Sequence, residues 1–246
     1  MKSLHAKIRK AVGTLVAGDQ RWWRALRMGV AQALEHIVLL RRLQPRGVID
    51  VGANRGQFAL AVRHAAPGSR IASFEPLAKA AQRFRAVFAG DPLITLHEAA
   101  IGPQSGPARI HVSACDDSSS LLPIGKEQTR LFPGTAEAGT SEVHVGRLVE
   151  FLSADEILAP ALLKLDVQGF ELAALQGCEE VLDRFQWIYV ECSFVELYEG
   201  QALAGEVIAW LRARGLSLSG VYNMTYDRSG RAVQADFLFT RDGLIA

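Results

Sequence analysis

The sequence predicts an α/β fold built on a mostly parallel seven-stranded sheet, with an antiparallel C-terminal strand and N-terminal helices, and three observations predict it. Between residues 47 and 214, short β-rich apolar runs alternate with segments of helical period, the pattern of a parallel sheet with crossover helices. Two further strand-like runs, 216–222 and 233–240, flank the turn-rich Asn223-Met224-Thr225-Tyr226-Asp227-Arg228-Ser229-Gly230 and read as a terminal hairpin, which brings in the antiparallel strand. Two apolar, helix-like segments precede the first strand.

In chain order, Arg21-Trp22-Trp23-Arg24 and the apolar face of Ala33, Leu34, Ile37, Val38, Leu39 and Leu40 predict two helices in an N-terminal helical extension, residues 1–46, ahead of one domain over 47–246. Strands are expected at 47–52, 70–75, 93–99, 161–166 and 187–192. Helices are expected at 57–64, 77–88, 148–158, 172–184 and 203–214. The stretch 114–141 is rich in Ser, Gly, Pro, Asp and Thr and breaks the alternation, so it reads as a long loop, either a functional lid or disordered.

A chain of 246 residues that is 49% hydrophobic and 22% charged can bury one substantial core. Its net charge of +1 hides an asymmetry: residues 1–46 hold ten Lys or Arg against Asp19 and Glu35, which leaves the other 200 residues at about −7. No basic patch interleaved with aromatics occurs in the body, so a nucleic-acid partner is not expected. No run reaches the ~18 apolar residues of a membrane span, and no signal peptide is read. The basic N-terminal helices are expected to pack on the sheet or on a second subunit, a homodimer, rather than to lie on a membrane surface. Cys115, Cys178 and Cys192 show no C-x-x-C spacing and read as reduced thiols of a cytoplasmic protein.

The densest local signal is Val48-Ile49-Asp50-Val51-Gly52-Ala53-Asn54-Arg55-Gly56, an apolar strand running into an acid and a glycine-bearing turn, followed by Ser73-Phe74-Glu75-Pro76. A dinucleotide fingerprint needs a central glycine for close approach to the pyrophosphate, and Asn54 stands in its place. The motif D-x-G-x-x-x-G is instead similar to that of S-adenosylmethionine (SAM) sites in Rossmann-like methyltransferases. Glu75, at the tip of the second strand, is placed to accept hydrogen bonds from vicinal ribose hydroxyls, charge-assisted bonds worth roughly 1.5–3 kcal/mol. Asp50 has two readings: a ligand-facing acid, or a buried acid that braces the loop through backbone amides.

Leu163-Lys164-Leu165-Asp166-Val167-Gln168-Gly169-Phe170-Glu171 and Trp187-Ile188-Tyr189-Val190-Glu191 each run an apolar strand into a carboxylate. If those strands are neighbours, ~4.8 Å apart, Asp166 and Glu191 converge, and a shared proton or a divalent cation must relieve their repulsion. An all-oxygen donor set suits Mg2+, which would lower the pKa of a bound acceptor hydroxyl. His144, which follows the long loop, is the leading candidate for the general base, ahead of His111 and His64. Its alternative is an ordinary core or surface histidine. Lys164 shares a strand face with Asp166 and is read as a buried partner for an acid.

Taken together with Ser118-Ser119-Ser120-Leu121, these motifs resemble the FkbM family of SAM-dependent O-methyltransferases over about residues 47–240. That resemblance implies a Rossmann-like class I methyltransferase fold, SAM as cofactor, and a small-molecule or oligosaccharide acceptor. It puts Gly52, Asn54 and Gly56 at the methionine end, Glu75 at the ribose, Ala99 and Ala100 beside the adenine, and Ser119 in a loop closing over the cofactor. The family pattern usually has Glu where this chain has Gln168. The Asp166 and Glu191 pair looks similar to magnesium-dependent members that methylate mannosides in polysaccharide synthesis. Two other readings stand beside it: an NAD-dependent oxidoreductase, and a non-catalytic SAM-binding module.

Overall fold

The computed structural model describes residues 20–243; the part of the N-terminal extension before Gln20 lies outside the described residues. In chain order the elements are α1 (Gln20–Arg27), α2 (Ile37–Leu43), β1 (Gly47–Val51), α3 (Gln57–Ala65), β2 (Arg70–Phe74), α4 (Ala78–Val87), β3 (Ile94–His97), β4 (Ala100–Ile101) and β5 (Gly106–Ser113). They continue with α5 (Lys126–Leu131), β6 (Glu137–Gly146), β7 (Ala161–Leu165), α6 (Glu171–Gly177), β8 (Trp187–Ser193), α7 (Ala204–Arg212), β9 (Leu216–Tyr226) and β10 (Ala232–Arg241).

Seven strands form the main sheet in the order β3-β2-β1-β7-β8-β10-β9. The first five of these pair parallel, and β10 inserts antiparallel between β8 and β9. The chain leaves β1 toward β2 and β3, then returns to its other side as β7, so the direction of winding reverses at the β1–β7 seam. In open α/β sheets a ligand crevice forms beyond the strand tips at such a switch point. Here the backbone keeps the tips level: Gly52 and Ala53 N–H donate to the Phe74 carbonyl, Glu75 N–H to that of His97, and Asp166 N–H to that of Val51.

Strand alternation divides the core into two layers. Ile49, Val51, Leu163, Leu165, Ile188, Val190, Phe237 and Phe239 face α6 and α7. Val48, Leu162, Tyr189 and Leu238 face α3 and the N-terminal helices. The strands β1 and β7 are buried at every position, hence their near-continuous apolar runs. The same holds for α3, whose Phe58-Ala59-Leu60-Ala61-Val62 run is wholly buried because the sheet covers one side and the N-terminal segment the other. Leu39 and Leu40 of α2 join that layer, at roughly 1.5–3 kcal/mol for each buried side chain. The buried Arg63 adds a polar clamp: it donates to Asp91, Ser69 O and Leu93 O, while Arg21 of α1 pairs with the same Asp91.

Three expectations require correction. The helix expected at 148–158 is two 3-10 turns, Leu148–Glu150 and Ala154–Glu156. Leu148 and Leu152 are buried as a helix would bury them, but Ser153 opens a fresh capping box with Glu156 and restarts the chain. The helix expected at 172–184 ends at Gly177 and continues as a 3-10 turn, Glu179–Arg184. The loop expected at 114–141 is largely ordered: it holds a 3-10 turn, Asp116–Ser118, then α5 and the start of β6. Strand β6 pairs antiparallel with β5 and parallel with β4 in a second, three-stranded sheet.

Gly52 turns the chain at the seam with φ +81°, and a Cβ there would collide with the Asp166 carbonyl oxygen. Gly52→Ala should therefore combine left-handed backbone strain with a clash against a strand that cannot move away, costing roughly 3 kcal/mol or more. Chemical denaturation of the variant measures it.

Candidate active site

A cavity of about 350 Å3 opens over the tips of β1, β2 and β7. On the β2–β3 side its walls include Phe74, Glu75, Ala99, Ala100, Ile101 and Phe170; Ser119 and Ser120 overhang from the second sheet, and Lys164, Asp166, Phe58 and His36 lie on the other side. The overhang is held by the serines themselves: Ser119 Oγ accepts from Ser113 N–H at 3.1 Å and Ser120 Oγ from Leu122 N–H at 3.0 Å. Tyr198 Oη lies 3.1 Å from Ser118 O.

Glu75 is 6% exposed. Its Oε2 accepts from Asn54 N–H at 2.9 Å and its Oε1 from Leu77 N–H at 2.8 Å. Burial outweighs those two bonds and pushes its pKa up to about 7. A carboxylate fixed by backbone donors keeps a second lone pair on each oxygen for two hydroxyls of a ligand.

At the seam, Asp50 and Lys164 are register partners on β1 and β7. Lys164 Nζ lies 3.4 Å from Asp50 Oδ1 and 3.6 Å from Asp166 Oδ2, donates to Gly52 O at 3.4 Å, and sits 5.5 Å from the centre of the Phe58 ring. Burial alone would lower the Lys164 pKa, but Asp166 and Asp50 hold it above its ordinary value. Burial raises that of Asp50, against the pull of Lys164. Asp50 is fully buried and does not line the cavity. Among the described residues no hydrogen bond of good geometry reaches either of its oxygens. It does not face the cavity and takes no backbone amide, and its contact is the lysine.

The same face carries a polar row onward across the sheet. Glu191 Oε1 accepts from Gln234 Nε2 at 2.7 Å, and its Oε2 accepts from Gln168 Nε2 at 3.2 Å. That same Gln168 nitrogen donates to Asp166 Oδ1 at 2.7 Å, while Tyr198 Oη donates to Gln168 Oε1 at 2.8 Å. Burial and the nearby Asp166 and Asp236 carboxylates drive the Glu191 pKa well above the carboxylate range. The next strand contributes Asp236, whose Oδ2 accepts from Tyr189 Oη at 3.1 Å and from Asn223 Nδ2 at 2.7 Å. Tyr189 Oη in turn lies 3.1 Å from His36 Nδ1.

This donor set does not fit the expected Mg2+. Three of the four oxygens of Asp166 and Glu191 take amide N–H groups and the fourth faces the Lys164 ammonium, so the position between the acids holds a hydrogen-bond donor, Gln168 Nε2, where a cation needs lone pairs. Among the described residues no group of three or more His, Cys, Asp or Glu is arranged to hold a metal ion.

The cavity therefore brings together Gly52, Asn54, Glu75, Ala99, Ala100, Ser119 and Asp166. Asp50, Gly56, Glu191 and His144 do not line it. Gly56 serves packing, since a Cβ there would strike the Phe88 ring. His144 sits on the exposed side of β6, because Val143 and Val145 take the buried side, and its ring meets Phe151 edge-on. His111 pairs with Glu137, and His64 with Arg41. The residues missed from sequence are His36, Phe58 and the Tyr189–Asp236 pair. Period-two alternation through Lys164, Tyr189 and Asp236 was the signal available for the last two, whereas nothing local in Leu34-Glu35-His36 marks a cavity wall.

The strand order, with an antiparallel strand inserted before the last and a cavity at the β1–β7 seam, is that of the Rossmann-like methyltransferases. The chain belongs to the FkbM methyltransferase family: a profile of the Methyltransferase FkbM domain matches residues 50–218. It is 30% identical over 160 residues to the 2-O-methyltransferase NoeI of Sinorhizobium fredii, a match covering 63% of this chain and 66% of that relative, slightly under two thirds of its length. It is 27% identical over 202 residues to the 31-O-demethyl-FK506 methyltransferase FkbM of Streptomyces tacrolimicus, covering 72% and 75%. The crystal structure of an FkbM methyltransferase from Methylobacillus flagellatus KT superposes with a TM-score of 0.52 at 15% identity, over 79% of this chain and 44% of that one, a likeness of fold.

Lys164→Met leaves Asp50 buried without its cation and should destabilise the protein by about 3–5 kcal/mol at pH 8. Because the native state takes up a proton on Asp50 as the pH falls, the loss should shrink toward pH 5. Adding Asp50→Asn should recover most of it. Urea unfolding of the four proteins of this cycle, at both pH values, makes the comparison.

Proposed function

We propose that the protein is a SAM-dependent O-methyltransferase acting on a hydroxyl of a small-molecule or oligosaccharide acceptor, with a sugar hydroxyl the first class to test. The observation that carries this is Glu75, a buried carboxylate anchored by two backbone amides in the cavity of a chain that belongs to a methyltransferase family. The names of two relatives, a 2-O-methyltransferase and a 31-O-demethyl-FK506 methyltransferase, support oxygen as the methyl acceptor.

In this reading Glu75 accepts from both ribose hydroxyls. Phe74, Ile101 and Phe170, with Ala99 and Ala100, give the adenine an apolar slot, and Ser119 closes over it. Gly52 and Asn54 line the methionine end, where the glycine keeps the backbone close. SAM supplies an electrophilic methyl group when bound. Asp166, the carboxylate of the seam that faces the cavity, accepts a hydrogen bond from a neighbouring hydroxyl of the acceptor and so orients the reacting oxygen toward that methyl. The acceptor then lies over β7 and β8, on the far side of the seam from Glu75. The no-metal donor set leaves these roles to side chains alone.

The test is calorimetry with S-adenosylhomocysteine, followed by transfer of labelled methyl from SAM to a panel of sugar and polyketide-type alcohols. Binding with transfer to a hydroxyl supports the reading; binding with no transfer to any acceptor turns it into a SAM-binding module, and nicotinamide binding in place of SAM turns it into an oxidoreductase. Ribose hydroxyls stabilise the charged form of Glu75, so binding should release a proton near pH 7 and affinity should fall about tenfold from pH 8 to pH 6. Glu75→Gln should bind about 10- to 100-fold more weakly, with a flat pH profile. Transfer should proceed at an unchanged rate in EDTA; a rate lost to EDTA and restored by Mg2+ would mean that Gln168 swings away from Asp166 and Glu191.

A further inference from the structure

We propose that His36, supplied by the N-terminal segment rather than by the region matched to the family, is the general base that takes the proton of the acceptor hydroxyl, and that Tyr189 and Asp236 hold its ring for that task. This deepens the methyltransferase reading and rests on it. Of the histidines among the described residues, His36 is the one that lines the cavity. It stands on the 3-10 turn Leu34–His36, carried to the strand tips by the packing of Ala33, Ile37 and Leu40 against the α3 layer. Its ring meets Phe58 and Tyr189 edge-on, at 5.3 and 5.5 Å between centres.

The sheet order gives it the right side of the site. Glu75 and Ala99 follow β2 and β3, on one side of β1, whereas Tyr189 and Asp236 lie on β8 and β10, on the other. A cofactor stretched from Glu75 to Gly52 ends its reach at the seam, and His36 lies beyond it with Lys164 and Asp166.

The hydrogen bonds also fix which nitrogen is available. Tyr189 has one hydroxyl proton and donates it to Asp236 Oδ2. Its oxygen accepts from Asn223 Nδ2 at 3.2 Å and, in the tautomer this proposal assigns, also from His36 Nδ1–H at 3.1 Å, which leaves Nε2 with the lone pair. A base oriented by a neighbour that is itself held by a buried carboxylate is the arrangement proton abstraction requires. The charged and titratable groups around the ring are Glu35 on its own turn, Lys164 and Asp166 on β7, Tyr189 on β8 and Asp236 on β10. Burial outweighs the three carboxylates and keeps the His36 pKa below the ordinary histidine value, so the ring is neutral at pH 7.

In the step, the acceptor O–H bond breaks and its proton passes to His36 Nε2 while the oxygen forms the O–CH3 bond. The S–CH3 bond breaks and its electron pair stays on sulfur, giving S-adenosylhomocysteine. The imidazolium afterwards returns the proton to water.

The experiment compares wild type, His36→Gln and Asp236→Asn for S-adenosylhomocysteine binding and for the pH dependence of kcat/KM with whichever alcohol the wild type methylates. His36→Gln should bind S-adenosylhomocysteine within about threefold of wild type, lose about 100- to 10,000-fold in kcat, and lack the acid limb of the profile. Asp236→Asn withdraws a charge that raises the His36 pKa, so its acid limb should move to lower pH, which a merely structural role would not produce. Wild-type transfer with His36→Gln retaining kcat within threefold overturns the proposal and leaves the methyltransferase reading standing. An unmoved acid limb in Asp236→Asn overturns it as well, even if His36→Gln does not fold. A wild type that methylates no hydroxyl overturns both.

Discussion

Everything around the cavity is arranged about one ammonium group, that of Lys164, buried where β1 meets β7. It lies within 3.6 Å of two carboxylates from different elements, one sealed and one open to the cavity. At an effective dielectric of about 20, each such contact is worth on the order of 4 kcal/mol before desolvation is charged against it. That places the lysine close to balance rather than making it a source of stability, and its importance is positional. With Asp50 and Asp166 both drawn to one nitrogen, the loop after β1 and the turn after β7 hold a fixed separation. The raised pKa values of Asp50, Glu75 and Glu191 and the lowered one of His36 all include a contribution from this charge.

A polar row on a sheet face has to be covered without being dissolved. The cover is α3, buried along its apolar 58–62 run, and behind it the helices of the N-terminal segment. Hydrogen bonds complete the enclosure: Gln168 and Gln234 supply amide protons to acids that would otherwise repel one another, and Tyr189 and Asn223 do the same for Asp236. One amide nitrogen at position 168 thus changes the character of the acid pair, from a pocket for a cation to a closed hydrogen-bonded unit.

The central strands β1, β2, β7 and β8 were legible from sequence because they are largely buried, so that each run of β-rich residues stood out between helical periods. Elements at the edge of that regularity were not. The strand β6 hides its signal in the alternation of Glu142-Val143-His144-Val145, which reads as polar when scanned for continuous apolar runs. Leu148 and Leu152 fit a helix and a pair of turns equally well. Gly52, Asn54 and Glu75, read from motifs at the strand ends, and Ala99, Ala100 and Ser119, carried over by the family resemblance, all line the cavity. On the opposite wall His36 and Phe58 were missed because they come from a turn far upstream and from α3, with Tyr189 of β8 and Asp236 of β10 behind His36, and only the tertiary fold relates these.

The region matched to the family runs from residue 50 to residue 218, and the cavity does not respect that boundary. The side that holds Gly52, Glu75 and Ala99 lies inside the boundary, while Ala33 and His36 lie outside it, as do Asn223 and Asp236, which stand behind His36. On the function proposed above, donor recognition and acceptor recognition are carried by different lengths of chain. A lineage of such proteins can exchange or remodel its terminal segments to take up a new alcohol while the machinery that reads the methyl donor stays as it is.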